Sequence, residues 1–119
     1  MVTNPYDKAH ELARSLKESE EYREYARLRE IAYADDTNKA LLNEYKRLQF
    51  RLQATVASGA TPPEEDMQRL QQIGSLLQFN SDASQFLLAE FRFQKMIADI
   101  YNILGDVAGV DLDALTGGN

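Results

Sequence analysis

The residues that could carry chemistry in this 119-residue chain are one histidine and two clusters of carboxylates. His10 has no second histidine or cysteine to join it, so a transition-metal site would need carboxylate ligands alone, which suit harder ions. The carboxylates gather at 18–24 and 64–66, at predicted helix starts, where they complement the helix dipole. An isolated histidine and two surface clusters form no catalytic constellation. We therefore predict no enzyme activity, no metal site and no cofactor.

A compact basic group indicates a second kind of function. Lys46, Arg47 and Arg51 lie next to Tyr45 and Phe50, and basic residues beside aromatics are one form of nucleic-acid interface. The whole chain carries a net charge of −6, which disfavours a phosphate backbone or an anionic lipid surface as partner. We expect a solvated helix face, and an RNA-associated factor remains an alternative prediction.

Composition indicates a folded protein and excludes several kinds of site. Cysteine is absent, which excludes disulfides, thiolate nucleophiles and cysteine-ligated clusters. Neither a basic-then-apolar leader nor an apolar run of about 18 residues occurs, so we expect a cytoplasmic protein that does not enter the membrane. We predict one domain over 1–119, with an ordered core at about 4–105 and an acidic, partly flexible tail at 106–119.

Apolar residues recur at helical spacing along the chain, and no period-two strand pattern occurs. Capping residues and prolines mark the predicted helix starts at Asn4-Pro5, Ser19, Asp35, Thr61-Pro62 with Glu64 completing a capping box, and Ser81. Glycines mark the predicted ends at Gly59 and Gly105. These signals predict an all-α fold of about five helices, a helical bundle in which the two longest helices pack antiparallel.

The longest predicted helix, 81–105, carries more apolar surface than one neighbouring helix can cover. The helix at 37–58 carries a seam with alternating spacings of four and three, which approximates a coiled coil. We therefore predict an intertwined or side-by-side homodimer held by these two helices. The candidate interface residues are Phe86, Ala89, Glu90, Phe91, Phe93, Ile97 and Ile100 on the long helix, and Leu41, Tyr45, Leu48 and Leu52 on the seam.

Glu90 is the one charged residue inside the broad apolar face, between Phe86 and Phe93. Its stem could pack at the boundary of that face while its carboxylate reaches water. It could equally meet an arginine or lysine of a partner and fix the register of the two helices. The sequence leaves both interpretations open.

Several short motifs in a fixed order resemble the YlbF/YmcA/YheA-type small helical proteins of Gram-positive bacteria. The similarity spans roughly residues 4–105. The motifs are Tyr6-Asp7 with Ala9 and Leu12-Ala13, Ser19-Glu20-Glu21-Tyr22, Ala34-Asp35, Leu48-Gln49, Gly59, and Leu88-Ala89-Glu90 followed by Phe93. The absence of cysteine makes the chain look more like the YheA-type branch, whose role is much less clear.

This resemblance implies an all-helical protein that associates through its long helices, usually as a dimer, and that has a non-enzymatic regulatory role. Relatives act on competence, sporulation, biofilm formation and messenger RNA processing through RNase Y. Iron–sulfur clusters are associated with the complex that YlbF and YmcA form with a third protein. A chain without cysteine cannot ligate such a cluster in the same way. We therefore expect a regulatory or adaptor protein that binds itself and other regulatory proteins. A small-molecule-binding helical bundle is a further alternative.

Overall fold

The computed structural model describes residues 4–109, which form five α-helices and, within that range, no strand. They are α1 (Pro5–Glu18), α2 (Glu20–Ala34), α3 (Asp36–Ala57), α4 (Glu64–Gln78) and α5 (Ser81–Ala108). The prediction of an all-α fold with about five helices is confirmed.

Single capping residues separate the first three helices. Ser19 and Asp35 both have extended backbones, with ψ angles of 152° and 122°, and each side chain accepts a hydrogen bond from the third residue beyond it. A lone extended residue cannot continue a helix, so the chain bends at both points. Asn4 caps α1 in the predicted place, and Gly59 follows α3 with a φ of 84°. At these four points the predicted helix limits are confirmed.

The predicted start of α4 is wrong. The helix begins at Glu64, its N-cap is Pro63, and no side chain caps it, so the capping box of Thr61 and Glu64 does not form. The reason is that Pro62 stands before a second proline, and a residue before proline is pushed out of the helical conformation. The helix therefore begins only after both prolines, at Glu64.

Both predicted limits of α5 shift by a few residues. Asn80, and not Ser81, is the N-cap, and its side chain accepts a hydrogen bond from Ala83. The helix continues through Gly105 to Ala108 and ends at Gly109, which has the left-handed φ of 68° expected of a capping glycine. The start of the predicted tail, residues 106–108, is thus helical, and residues 110–119 of that tail lie outside the described residues.

The helices pack as two antiparallel pairs. In the pair α2–α5, the ring of Tyr22 lies 5.4 Å from that of Phe93, and Tyr33 lies 5.6 Å from Phe86. In the pair α3–α4, Glu44 bonds to Arg69 near the middle of both helices. The predicted antiparallel pairing of the two longest helices, α3 and α5, is therefore wrong, because each has a shorter helix as its main neighbour.

The core lies where the ends of α2 and α4 meet the starts of α3 and α5. Its nine buried apolar residues are Leu28, Ala32, Leu42, Leu48, Ile73, Leu77, Ala83, Phe86 and Ala89. The buried Asn38 donates to Asn80 at 3.2 Å and so joins the first turn of α3 to the turn before α5. No residue of α1 is buried.

The molecule is flat and elongated. Its Cα atoms have a radius of gyration of 17.5 Å and principal extents of 57 × 37 × 16 Å, whereas a compact domain of this length has a radius of about 13.5 Å. Its accessible surface is 9067 Å², against about 6500 Å² for a typical folded monomer of this mass. A single copy therefore leaves an unusually large surface open to solvent.

Candidate protein-interaction surface

The apolar face of α5 continues beyond the helices that cover it. At 100° per residue, one face holds Phe86, Phe93, Ile97, Ile100, Leu104 and Val107. Exposure rises along it, from 0% at Phe86 to 53% at Leu104 and 89% at Val107. The cause is the position of α2, because Tyr22, close to the start of α2, already lies against Phe93. We call residues 97–108 the terminal arm of α5.

The amphipathic helix α1 is also left without a partner for most of its apolar stripe. Tyr6 is 78% exposed and Leu12 is 37% exposed, while Leu16 is half-buried. The bend at Ser19 fixes this position, since its hydroxyl donates to the Leu16 carbonyl at 2.6 Å and accepts from the Tyr22 amide at 3.1 Å. The main neighbour of α1 is α2, the helix that follows it.

Other exposed apolar residues lie on the outer side of the two pairs. Phe91, one of the predicted interface residues, is 64% exposed on α5, and Leu88 lies beside it on the same helix. Phe50 on α3 and Phe79 at the end of α4 are exposed as well. Large exposed aromatics of this kind are typical anchors of protein interfaces.

Several predicted interface residues take part in packing within one chain. Phe86, Ala89 and Leu48 belong to the buried core, while Leu41 and Tyr45 pack against it. Leu52, Phe93, Ile97 and Ile100 are half-buried. The predicted interface stays a prediction, which now depends on Phe91 and on the end of the α5 stripe. The sequence-based list missed Val107, because the helix was expected to end at Gly105, although the residue continues the same helical period.

One of the two interpretations of Glu90 was an ion pair with an arginine or lysine of a partner. Glu90 does pair with a lysine, but that lysine belongs to the same chain. Its carboxylate forms an ion pair with Lys46 of α3, and both groups are partly buried. The ammonium group also lies 5.1 Å from the centre of the Phe86 ring. A partly buried pair beside an aromatic ring favours one relative position of α3 and α5. Glu90 therefore orients helices within the monomer.

The predicted basic patch is divided by ion pairs. Lys46 bonds to Glu90, and Arg51 Nη2 donates to Asp66 Oδ1 at 2.9 Å. Arg47 and Arg51 are both exposed, and Lys46 is half-buried. Two of the three charges are thus compensated by carboxylates of the same chain, which reduces the attraction that this surface offers to phosphate groups.

The clearest charge-assisted contact between helices joins α3 and α4. Arg69 donates to both carboxylate oxygens of Glu44, from Nε at 2.9 Å and from Nη2 at 2.8 Å. This hydrogen-bonded pair lowers the pKa of Glu44, to which the nearby charges of Arg69 and Arg47 also contribute. The same contact raises the pKa of Arg69. A bidentate contact of this geometry fixes the register of the two helices.

Within residues 4–109 the geometry offers little for catalysis or ligand binding. His10 is exposed on α1, and no group of three or more potential ligands is placed to hold a metal ion in this range. A surface depression of about 500 Å³ is open to solvent, and charged residues such as Arg27, Arg29 and Glu30 line it. Ligand pockets are usually enclosed and mainly apolar. None of the described helices is long and apolar enough to cross a membrane.

Comparison with known proteins agrees with the helical architecture. The profile of the family described as "Control of competence regulator ComK, YlbF/YmcA" matches residues 6–107, from the first turn of α1 to the last turn of α5. The chain belongs to this family. The resemblance noted from the short motifs is thereby confirmed, and the family is linked to the control of a competence regulator.

Relatives of the chain cover nearly its full length. A UPF0342 protein of Symbiobacterium thermophilum is 34% identical over 107 residues, which are 90% of this chain and 96% of that protein. A UPF0342 protein of Alkalihalophilus pseudofirmus is 36% identical over 103 residues, 87% of each chain. A solved structure, described as a protein of unknown function (DUF964) from Bacillus stearothermophilus, superposes with a TM-score of 0.74 at 20% identity and covers 89% of this chain and 94% of its own. This last likeness supports the fold.

Proposed function

We propose that this protein is a regulatory adaptor that performs no chemistry and acts by helix-mediated binding of proteins, first of all of a second copy of itself. The observation that carries the proposal is the uncovered apolar stripe at the end of α5. Leu104 and Val107 continue the stripe that Phe86 begins in the core, yet they are 53% and 89% exposed. Such a stripe is stable in water when another surface covers it.

The exposed area is large enough for a stable dimer. The chain exposes about 2500 Å² more than a typical monomer of its mass, whereas a specific interface needs about 800 Å² from each partner. Burying one Leu, Val or Phe side chain contributes about 1.5–3 kcal/mol before the entropic cost of association. Burying the apolar side chains of the terminal arm alone would therefore contribute several such increments of binding free energy.

The family supports a regulatory role over the alternatives. It is linked to the control of a competence regulator, which fits a protein that acts by binding. The ion pairs of Lys46 and Arg51 give no support to an RNA-associated factor. The open, charged depression beside Tyr22 and Tyr25 gives none to a small-molecule-binding bundle.

Sedimentation equilibrium at micromolar concentration tests the proposal with a matched pair of variants. We expect the wild type to be a dimer and Leu104→Asp to be a monomer, because an aspartate would have to lose its hydration in the interface. Phe50→Asp places the same charge at an exposed aromatic residue of α3 outside the arm, and it should remain a dimer. A wild type that sediments as a monomer would contradict the proposal.

A further inference from the structure

Two helical segments of this protein lack a partner along most of their apolar faces, α1 and the terminal arm of α5. We propose that they cover each other between two copies, so that α1 of one copy packs on the terminal arm of the other. This inference depends on the proposed dimer and says which surfaces form it. It commits the exposed end of α5 to one occupant, the first helix of a second copy.

Both segments start from the same end of the molecule. The antiparallel pairing brings Tyr22, at the start of α2, against Phe93, just before the terminal arm. From this point α5 runs on to Ala108, and α1 leaves at the bend at Ser19. Because the main neighbour of α1 is α2 and not α5, most of both apolar stripes stays uncovered within one chain.

Their lengths match. α1 has 14 residues, or about 21 Å at 1.5 Å per residue, and the twelve residues of the terminal arm span about 18 Å. The apolar stripe of α1 consists of Tyr6, Ala9, Leu12, Ala13 and Leu16. Ala9 and Ala13 lie in the middle of this stripe, and their small side chains allow a second helix to approach closely. The larger Tyr6, Leu12 and Leu16 can pack around Leu104 and Val107.

The net charges of the two segments favour this contact over that of two arms. The terminal arm carries two acids, Asp99 and Asp106, and no lysine or arginine, whereas α1 carries three cations and three acids. Two identical arms would bring like charges together, and α1, which has no net charge, would not.

A two-fold axis makes this exchange self-limiting. If α1 of the first copy covers the arm of the second, the same operation places α1 of the second copy on the arm of the first. Both unpartnered stripes of both chains are then buried in two equal contacts. The arrangement closes at two copies and leaves Phe91, on another side of α5, open to a different protein.

Disulfide trapping tests the contact directly, because the chain has no cysteine of its own. Leu12→Cys and Leu104→Cys place one thiol near the middle of each stripe, so that they approach in either relative direction of the helices. The two variants, one of them carrying a mass tag, are mixed and oxidised. We expect a disulfide-linked heterodimer, since bridged residues need Cα atoms within about 7 Å. Phe50→Cys in place of Leu12→Cys is the control and should give none.

Leu12→Asp supplies an independent measurement. No α1 side chain is buried in the monomer, so this variant should keep its circular dichroism spectrum and its unfolding midpoint at concentrations where the protein is monomeric. Its dimer dissociation constant should rise by more than about tenfold. An unchanged dissociation constant would overturn the exchange.

The outcomes separate this inference from the proposed function. If the wild type is a dimer but Leu104→Cys bridges only to itself, the arms pair with each other and the exchange is wrong while the dimer stands. If a chain that carries both Leu12→Cys and Leu104→Cys forms a disulfide within itself, α1 folds onto its own arm and the exchange is likewise wrong. If the wild type is a monomer, the proposed function itself fails.

Discussion

At the residue scale, Lys46 shows how one side chain can serve two purposes in a small core. Its ammonium group pairs with Glu90 and lies over the ring of the fully buried Phe86. The long aliphatic stem of lysine allows this, since it packs on apolar surface while the charge stays near water. One of the three basic residues considered as a nucleic-acid interface therefore joins α3 to α5.

Gly74, in the interior of α4, is expected to weaken the helix more than it helps the packing. A Cβ atom added there would lie 3.5 Å from Cε2 of Tyr45, an ordinary van der Waals distance. Gly74→Ala should therefore raise the free energy of unfolding by up to ~1 kcal/mol, as alanine restricts the unfolded chain. Urea unfolding measures this. Gly59→Ala is the control, and it should destabilise the protein because Gly59 has a φ of 84°. A destabilised Gly74→Ala would show that the Tyr45 ring needs the space.

The pair of Glu44 and Arg69 should make stability depend on pH in the acidic range. Because hydrogen bonding to Arg69 lowers the pKa of Glu44 below its usual 4.5, the contribution is complete above the unfolded pKa and is lost as pH falls through the folded pKa. Glu44→Gln should thus be less stable than the wild type at pH 7 and equally stable at a pH below the folded pKa. Glu30→Gln, at an exposed residue, is the control and should show no such convergence. A difference for Glu44→Gln that persists unchanged in acid would contradict the assignment.

At the element scale, short polar turns set the direction of each helix. The bend at Ser19 turns α1 away, and the bend at Asp35 separates α2 from α3. Asn80 is the most connected of these residues, because its Oδ1 accepts from the Ala83 amide at 3.0 Å and from the buried Asn38 at 3.2 Å. One side chain thus caps α5 and holds the first turn of α3 next to it.

Two substitutions of Asn80 should show whether its hydrogen bonds, rather than its size, stabilise this junction. Asn80→Ala removes the helix cap and leaves the buried Asn38 amide without its partner, so we expect a loss of about 2–4 kcal/mol in the free energy of unfolding. Asn80→Asp keeps an oxygen in both contacts and should stay near the wild type. Chemical denaturation of both variants provides the measurement. Equal losses in the two would show that the hydrogen bonds are not what stabilises this junction.

At the scale of the whole molecule, the core occupies one junction between helices, and α1 and the terminal arm of α5 extend from it. The nine buried apolar residues come from α2 to α5, and all of them precede Glu90. The rest of α5 and all of α1 depend on one neighbour or on none. A molecule of 57 × 37 × 16 Å with this distribution fits the proposed dimer, in which a second copy would cover the exposed segments.

Amide hydrogen exchange at two protein concentrations should show this division. In dilute solution the amides of α1 and of residues 97–108 should exchange fastest, and those around Phe86 and Ile73 slowest, because few buried contacts oppose local opening of the arms. Above the dimer dissociation constant, the amides of α1 and of the terminal arm should exchange more slowly, while the exchange rates in the core should change little. Arms that remain unprotected at high concentration would mean that they do not form the interface.

The sequence by itself determined the helices, because caps, breaks and the 3.6-residue period are local properties of the chain. Asn4, Ser19 and Asp35 begin their helices where the sequence predicts, whereas a second proline, Pro63, displaced the start of α4. The N-cap of α5 is Asn80, one residue before the predicted Ser81. It also indicated that α5 has more apolar surface than it can cover. The period could not show which part of that surface stays uncovered, because every residue of a stripe looks alike in sequence.

Only the tertiary structure decided which part of the apolar surface of α5 stays uncovered. Because α2 begins beside Phe93, it covers Phe86 and leaves Leu104 exposed, although these two residues lie at the same angle on one helix. Likewise, the crossing of α3 and α5 gives Glu90 a lysine of its own chain. Such contacts depend on distances between segments far apart in the chain, and those distances follow from how the helices pack.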